Sequence, residues 1–242
     1  MRLIAVLAAV AVGLIATGAA GAYPTLGGPT GLLSVPTTDI APEESLEVAG
    51  DWANLSADGN GFVVRGLLGA TEQVELGALY AHFSSPSGRI LGINGKLQLR
   101  TEPQSTFGLA VGAAATDPGG DRFDSDSGVQ LYAVASKDLT SRAADLASAA
   151  WRMRLNAGLM YDSAEDDTAL RPFVGLDFTQ PDGAQLMLEY QARSGHDVSS
   201  IGLRYPLAAQ LSVQAGITNA FEDSHQLVLG AAYRWGLGIP GL

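Results

Sequence analysis

The feature that most constrains this chain is an alternation of apolar and polar residues with a period of two, sustained from Leu46 to near the carboxyl end. Successive side chains of a β-strand point to opposite faces, so this alternation predicts strands with two different faces. Helical spacing is almost absent. The clearest run sets five apolar or small residues against five polar or small ones: Leu91, Ile93, Gly95, Leu97 and Leu99 against Gly92, Asn94, Lys96, Gln98 and Arg100.

The alternation divides the chain into twelve predicted strands. Their lengths suit the roughly 9 to 11 residues that cross a bilayer at a tilt, and an even number is typical of outer-membrane barrels. We therefore expect an all-β fold, a single antiparallel transmembrane β-barrel. The sixth strand is the least regular, because Tyr132 and Val134 make its two faces hard to distinguish. The main alternative to twelve strands is an additional strand pair between residues 138 and 149. The predicted strands lie near residues 45–54, 61–70, 73–83, 90–100, 105–115, 128–137, 150–161, 169–179, 184–192, 198–206, 210–219 and 225–236.

The amino-terminal residues predict export. Arg2 precedes an apolar run from Leu3 to Ile15, and Ala20-Gly21-Ala22 fits an A-x-A cleavage site before Tyr23. The run is shorter than the roughly 20 apolar residues of a spanning helix. The predicted organisation is a signal peptide (1–22), an irregular Gly/Pro-rich lead-in or plug (23–44), the barrel (45–236) and a short tail (237–242).

The positions of the aromatic residues indicate which face meets lipid. A soluble barrel with an apolar interior would show the same alternation. If the first strand runs outward from the periplasm, the aromatic residues of the apolar face lie near the two ends of the strands. Aromatic residues are enriched at these two levels because they correspond to the two membrane interfaces. The predicted interface aromatics are Trp52, Phe62, Tyr80, Phe107, Trp151, Tyr161, Phe178, Tyr190, Tyr205, Tyr233 and Trp235.

The opposite face is expected to line the lumen. Its basic residues outnumber its acidic ones, and rings of Arg or Lys favour anions in a pore. Alternatively, these groups pair and fill a closed interior, as in small barrels. Inward glycines such as Gly175 and Gly216 leave room and favour a narrow pore. The predicted lumen-lining residues are Arg65, Glu75, Lys96, Arg100, Arg152, Arg154, Arg171, Asp177, Glu189, Arg204 and Arg234, together with Glu47 and Asp51.

The connections support the same orientation, since outer-membrane barrels have short periplasmic turns and longer outer loops. Predicted outer loops include 55–60, 84–89 and 116–127. The long inner connection 138–149 departs from this rule, and its Ala-rich stretch 142–147 predicts a short helical turn.

Composition excludes several function classes. The formal net charge of -11 argues against nucleic acid as a partner, because phosphate binding needs a basic face. The absence of cysteine excludes disulfides, Cys-ligated metals and thiol nucleophiles. We expect that the protein is not an enzyme and binds no cofactor. The weaker alternative is a lipid hydrolase that uses His82 and a nearby serine. Asp121, Asp124 and Asp126 are weak candidates for a hard cation, with solubilising charge the favoured explanation.

Several short phrases resemble YjbH-like outer-membrane proteins, a group associated with exopolysaccharide production. They are Thr30-Gly31-Leu32-Leu33-Ser34-Val35-Pro36-Thr37, Phe173-Val174-Gly175-Leu176-Asp177-Phe178, Leu188-Glu189-Tyr190 and Ile201-Gly202-Leu203-Arg204-Tyr205. The last strand, with Gly230-Ala231-Ala232-Tyr233-Arg234-Trp235, resembles the carboxy-terminal signal read by the outer-membrane assembly machinery.

Together these features predict a porin-like barrel in the outer membrane of a Gram-negative-type bacterium. Its expected role is that of a narrow channel or an envelope protein associated with exopolysaccharide export. Expected partners are outer-membrane lipid, the assembly machinery and small anionic or saccharide solutes. The alternative is a non-conducting structural or adhesive barrel whose acidic outer loops bind cations or a partner.

Overall fold

The structure is a computed structural model that describes residues 23–55, 59–84, 87–102, 105–116, 128–140, 151–163, 170–192, 197–221 and 225–237. The predicted signal peptide, the predicted helical turn at 142–147 and the tail beyond Leu237 lie outside these residues and stay predictions. No helix among the described residues is long and apolar enough to cross a membrane.

The described residues form twelve strands, and each begins and ends within three residues of its predicted bounds. Their bounds are β1 (Ser45–Leu55), β2 (Gly59–Thr71), β3 (Val74–Ser84), β4 (Ser87–Arg100), β5 (Gly108–Thr116), β6 (Gly128–Asp138), β7 (Arg152–Asp162), β8 (Leu170–Thr179), β9 (Gln185–Ala192), β10 (Asp197–Pro206), β11 (Leu211–Thr218) and β12 (Gln226–Gly236).

The strands form a closed antiparallel barrel in which each pairs with its neighbours in sequence and β12 pairs with β1. Closure satisfies the backbone of every strand and leaves no free edge, which is the condition for a sheet to cross a bilayer. Strand β6 pairs directly with β7, so the ring closes without an additional strand pair between them.

The outer surface of the barrel is apolar, as expected. Leu203, Ile93 and Leu170 are 60%, 52% and 61% exposed, and large aliphatic side chains are exposed on every side of the ring. Such a surface would be unfavourable in water and is favourable against hydrocarbon. The chain therefore has the architecture of an outer-membrane β-barrel, with charged residues such as Arg65, Glu75 and Lys96 buried on the inward face of its strands.

Two strands start earlier than expected at the end of the barrel opposite the chain's entry into β1, which is called here the outer end. Strand β2 starts at Gly59 and β4 at Ser87, two and three residues before their predicted starts. Residues 55, 59 and 60 of one predicted outer loop, and 84 and 87–89 of the other, therefore belong to strands. The other end of the barrel, at which β1 begins, is called the inner end.

Candidate functional site

Residues 23–44 fold into the lumen and are called here the plug. Tyr23, Leu32 and Val35 are each 1% exposed or less. The residues that bury them belong mostly to the barrel wall. Two isolated antiparallel bridges, Pro24 with Thr30 and Gly31 with Pro36, fold the plug into compact turns. Of the two alternatives that the sequence left open, the structure therefore adopts the plug.

The carboxylate of Glu189 on β9 holds the centre of the plug. Its Oε1 accepts hydrogen bonds from the backbone N–H of Leu33, Ser34 and Val35 at 2.7, 3.0 and 3.3 Å. Its Oε2 accepts from the Ser34 N–H at 3.0 Å and from the Ser34 hydroxyl at 2.5 Å. Hydrogen bonds to an ionised acceptor are about twice as strong as neutral ones, so one wall residue fixes a whole turn of the plug.

A second wall carboxylate, Glu75 on β3, fixes the plug at two points of its sequence. It accepts from the N–H and hydroxyl of Thr30 at 2.8 and 2.5 Å and from the N–H of Ala41 at 2.8 Å. Lys96 on β4 lies 3.2 Å from Glu75 and donates to the carbonyl of Thr30 at 2.7 Å. Because both side chains are fully buried, the plug supplies hydrogen bonds that this ion pair needs away from water.

Arginines bind the other side of the plug. Arg204 on β10 donates to the carbonyl of Leu32 at 3.0 Å, and its guanidinium lies 4.0 Å from the centre of the Tyr23 ring. Arg65 on β2 donates to the carbonyl of Pro24 at 2.7 Å and forms an ion pair with Asp51. Cationic groups of the wall therefore bind backbone carbonyls and an aromatic face of the plug.

Asp39 carries the plug's own charged contact with the wall. It lies 2.6 Å from the guanidinium of Arg154, which also contacts Asp177 at 3.1 Å. Burial opposes the ionisation of Asp39, but the charge of Arg154 and its hydrogen bonds outweigh this effect and lower the Asp39 pKa to about 2. Asp39 is thus anionic at neutral pH and ties the plug to β7.

The register of the sheet explains why the wall charges pair with one another. Three ion pairs join residues directly opposite each other on adjacent strands, where cross-strand side chains are closest. These pairs are Glu47 with Arg234, Glu75 with Lys96 and Arg154 with Asp177.

An apolar patch of the wall, which the sequence reasoning did not single out, packs against the plug. Leu32 and Val35 of the plug belong to one buried cluster with wall residues of β5 to β9. The wall members are Ala110, Tyr132, Val134, Met160, Phe173 and Met187. The irregular sixth strand was the available signal, since Tyr132 and Val134 put apolar groups on the lumen face opposite the plug's leucines.

The inward glycines do leave space, and the plug occupies it. A Cβ on Gly175 would lie 2.5 Å from Leu32 Cδ1, and one on Gly216 would lie 2.6 Å from Leu33 Cδ2. Both distances are shorter than real contacts, so a larger residue at either position would require the tip of the leucine side chain to shift.

Most predicted lumen residues lie inside the barrel, including the buried Arg171 on β8, but Arg152 and Arg100 do not. Arg152 lies at the inner rim, where its half-exposed side chain contacts Asp138 at 2.6 Å. Arg100 points outward, contrary to expectation. An irregularity between Gln98 and Arg100 shifts the register, so that Arg100 pairs with Leu109 and lies over the Phe107 ring. A bulge reverses the face of every residue beyond it.

The predicted interface aromatics all lie on the outward face of the wall. Trp52, Phe62 and Tyr190 are 39%, 42% and 40% exposed near the outer end. Trp151 and Trp235 are 44% and 45% exposed near the inner end. Their side chains form two levels along the barrel, separated by aliphatic residues. The remaining predicted aromatics, on the same face, are Tyr80, Phe107, Tyr161, Phe178, Tyr205 and Tyr233.

Among the described residues, His82 and Ser84 contact other groups and not each other. The His82 ring packs against Phe62 on the outward face, and the Ser84 hydroxyl is engaged with the backbone of Asn60. The candidate cation ligands Asp121, Asp124 and Asp126 lie outside the described residues. Within the described part of the chain, no cluster of three acidic, His or Cys residues could hold a metal ion.

Two cavities, each of about 330 Å³, lie on opposite sides of the plug along the barrel axis. The inner cavity is lined by arginines and acids together with plug residues: Arg152, Arg154, Arg204, Arg234, Asp39, Asp177 and Tyr23. The outer cavity is lined mainly by aliphatic side chains and is closed below by Leu26 and Gly27. The plug is therefore the barrier between two recesses that open toward opposite ends.

Comparison with known proteins identifies the fold of this chain but not its family. No family model and no curated protein matches the sequence. Among solved structures, the outer membrane protein Omp33 of Acinetobacter baumannii is similar, with a TM-score of 0.55, 13% identity and coverage of 80% of this chain and 99% of that chain.

Two further structures have the same fold. The COG4313 outer membrane channel of Pseudomonas putida F1 has a TM-score of 0.54 and 13% identity over 84% of this chain and 100% of that one. The KdgM porin, solved in complex with oligogalacturonate, has a TM-score of 0.55 and 10% identity over 78% and 98%. At these identities the likeness is one of fold, and that fold is the outer-membrane β-barrel.

Proposed function

We propose that this barrel is an outer-membrane channel whose path is closed by the plug and opens when the plug moves. The observation that carries the proposal is the pair of cavities on opposite sides of residues 23–44. A purely structural barrel has no need for recesses at both ends of its axis. Polar contacts hold most of the plug, and such contacts can be exchanged for water at modest net cost.

The chemistry of the inner cavity favours anions as the solute. Four arginines line it, against the two carboxylates of Asp39 and Asp177. An excess of guanidinium groups in a confined recess attracts anions and binds carboxylates or phosphates in a bidentate manner. The oligogalacturonate bound by KdgM, a barrel of the same fold, makes an anionic saccharide a second candidate within this class.

A relation to YjbH-like proteins, and with it a role in exopolysaccharide export, is part of the proposal. The phrases that carry the resemblance lie together in space. Thr30 to Thr37 is the centre of the plug, and the other three phrases lie on β8, β9 and β10, where Gly175, Glu189 and Arg204 contact it. This clustering supports the resemblance, because scattered matches would not converge on one contact.

Export and assembly complete the proposal. Residues 1–22 would direct secretion, and the Gly230 to Trp235 phrase of β12 would be read by the outer-membrane assembly machinery. Orientation follows from the same reasoning, with the inner end facing the periplasm.

Conductance across a planar bilayer tests the channel. The chain contains no cysteine, so a pair can be introduced cleanly with Val35→Cys and Gly175→Cys. Val35 Cγ2 lies 3.2 Å from the position of a Cβ on Gly175, which brings a sulfur at residue 35 within bonding reach of a second cysteine. We expect conducting events from the parent protein, silence from the oxidised double variant and recovery with reductant.

Each single-cysteine variant is the matched control and should conduct regardless of redox state. A variant lacking residues 24–40 should conduct persistently. Equal conductance of the oxidised and reduced double variant would overturn the plug as the gate. Silence of the deletion variant, once its folding is shown by heat-dependent gel mobility, would overturn the channel and favour the structural barrel.

A further inference from the structure

The outer cavity has a chemistry opposite to that expected for the lumen of a membrane barrel. Lumen-facing residues of such barrels are normally polar because water fills the interior. Here the inward positions near the outer end are aliphatic or aromatic: Ala53, Val63, Leu79, Ala81, Phe83 and Ile90. Val63, Leu79 and Ala81 form a buried cluster against which Phe83 and Ile90 pack.

The plug completes this apolar surface from below. Leu26 packs against Leu33, Ala53 and Val228, and it lines the cavity together with Gly27. The recess is therefore closed toward the charged inner cavity and has apolar walls and an apolar floor. Among the described residues that line it, the polar side chains lie at the outer mouth and belong to Thr116, Gln130, Asp162 and Gln226.

From this arrangement we propose that the outer cavity is a binding site for a small neutral apolar molecule with one polar end, such as a substituted monoaromatic alcohol. Ligand sites commonly have volumes from about 300 Å³ upward, mostly apolar walls and few polar groups that orient the ligand. The polar end would lie at the mouth, near Gln130 and Gln226. A carboxylate head is disfavoured there by the charge of Asp162.

The site is independent of conduction, since it requires only the closed plug and the wall. The smallness of Ala53 and Ala81 creates the space, while Phe83, Leu79 and Ile90 provide the contact surface. Transfer of apolar surface from water into such a recess is favourable by roughly 25 cal/mol per Å².

The test uses the mature barrel in lipid nanodiscs, which avoids competition from detergent. The probe is 4-(trifluoromethyl)benzyl alcohol, observed by fluorine NMR during titration. We expect saturable binding that is weakened about tenfold or more by Ala81→Leu, which fills the cavity. The matched control is Ala78→Leu on the same strand, because Ala78 faces lipid.

A second variant keeps the volume and changes only polarity. Val63→Thr adds a hydroxyl to the wall without enlarging the side chain, so it should also weaken binding of the probe. The proposal is overturned if the probe partitions without saturation and equally into empty nanodiscs, or if Ala81→Leu and Ala78→Leu bind it alike. It is also overturned if Val63→Thr and Ala81→Leu both fold and both retain the parent affinity.

Discussion

The Glu189 carboxylate of the barrel wall accepts hydrogen bonds from both the backbone N–H and the hydroxyl of Ser34, 155 residues earlier in the chain, at 3.0 and 2.5 Å. This contact joins a turn of the plug to the middle of β9. The position of the plug therefore depends on individual wall side chains, and each of them can be substituted separately.

Glu189→Gln should loosen the plug. The amide offers one acceptor oxygen in place of two charged ones, and hydrogen bonds to a charged group contribute about 1.5 to 3 kcal/mol. We expect the open fraction in single-channel records to rise about tenfold or more. Glu72→Gln, in the exposed β2–β3 turn, should leave the records unchanged. Equal effects of the two variants would contradict a specific role for Glu189.

Phe173→Ala should release the plug from its apolar side. Phe173 is 3% exposed and belongs to the cluster around Leu32. Removing a buried phenylalanine side chain costs about 3 to 5 kcal/mol. We expect faster proteolysis within residues 23–44 while the barrel keeps its heat-dependent gel mobility. Phe178→Ala, on the outward face of the same strand, should not accelerate that cleavage, and an equal acceleration would refute the packing role.

Arg152→Glu should reduce anion preference. Arg152 lines the inner cavity and is more than half exposed, so its charge can be reversed without burying an unpaired group. The reversal potential in a salt gradient should shift toward cation selectivity. Arg100→Glu is the control, since Arg100 lies at the same end of the barrel but on its outer face. A shift of the same size in both variants would indicate a surface effect rather than a pore effect.

Asp39 predicts a specific pH dependence. Its folded-state pKa is lowered to about 2 from an ordinary value of 3.8. The contact with Arg154 therefore contributes fully above about pH 4 and is lost as the pH falls toward 2. We expect Asp39→Asn to raise the open fraction at pH 7, and the difference from the parent protein to shrink as the pH falls through about 2.

The matched control for this titration is Glu43→Gln, an exposed plug position that should follow the parent at every pH. A difference between Asp39→Asn and the parent that stays constant down to pH 2 would contradict the ion pair. Measurement requires the same bilayer records, taken at each pH.

The amino-acid sequence predicted the strands closely, because lipid on one side and a polar lumen on the other impose a two-residue period on every crossing. The same period placed Trp52 and Trp235 outward and Glu75 and Glu189 inward. It failed at Arg100, since a bulge adds one residue to a strand without a signal in the alternation.

The sequence by itself predicted a barrel with an apolar outer surface, because the alternation gives each strand two faces and the aromatic residues at the strand ends identify the one that meets lipid. Only the tertiary structure decided what fills the lumen. The pairing of Glu75 with Lys96 depends on the register between strands, and the contact of Glu189 with Ser34 depends on where an irregular, Gly- and Pro-rich segment folds back. Neither of these long-range relations leaves a periodic trace in the residues that form it.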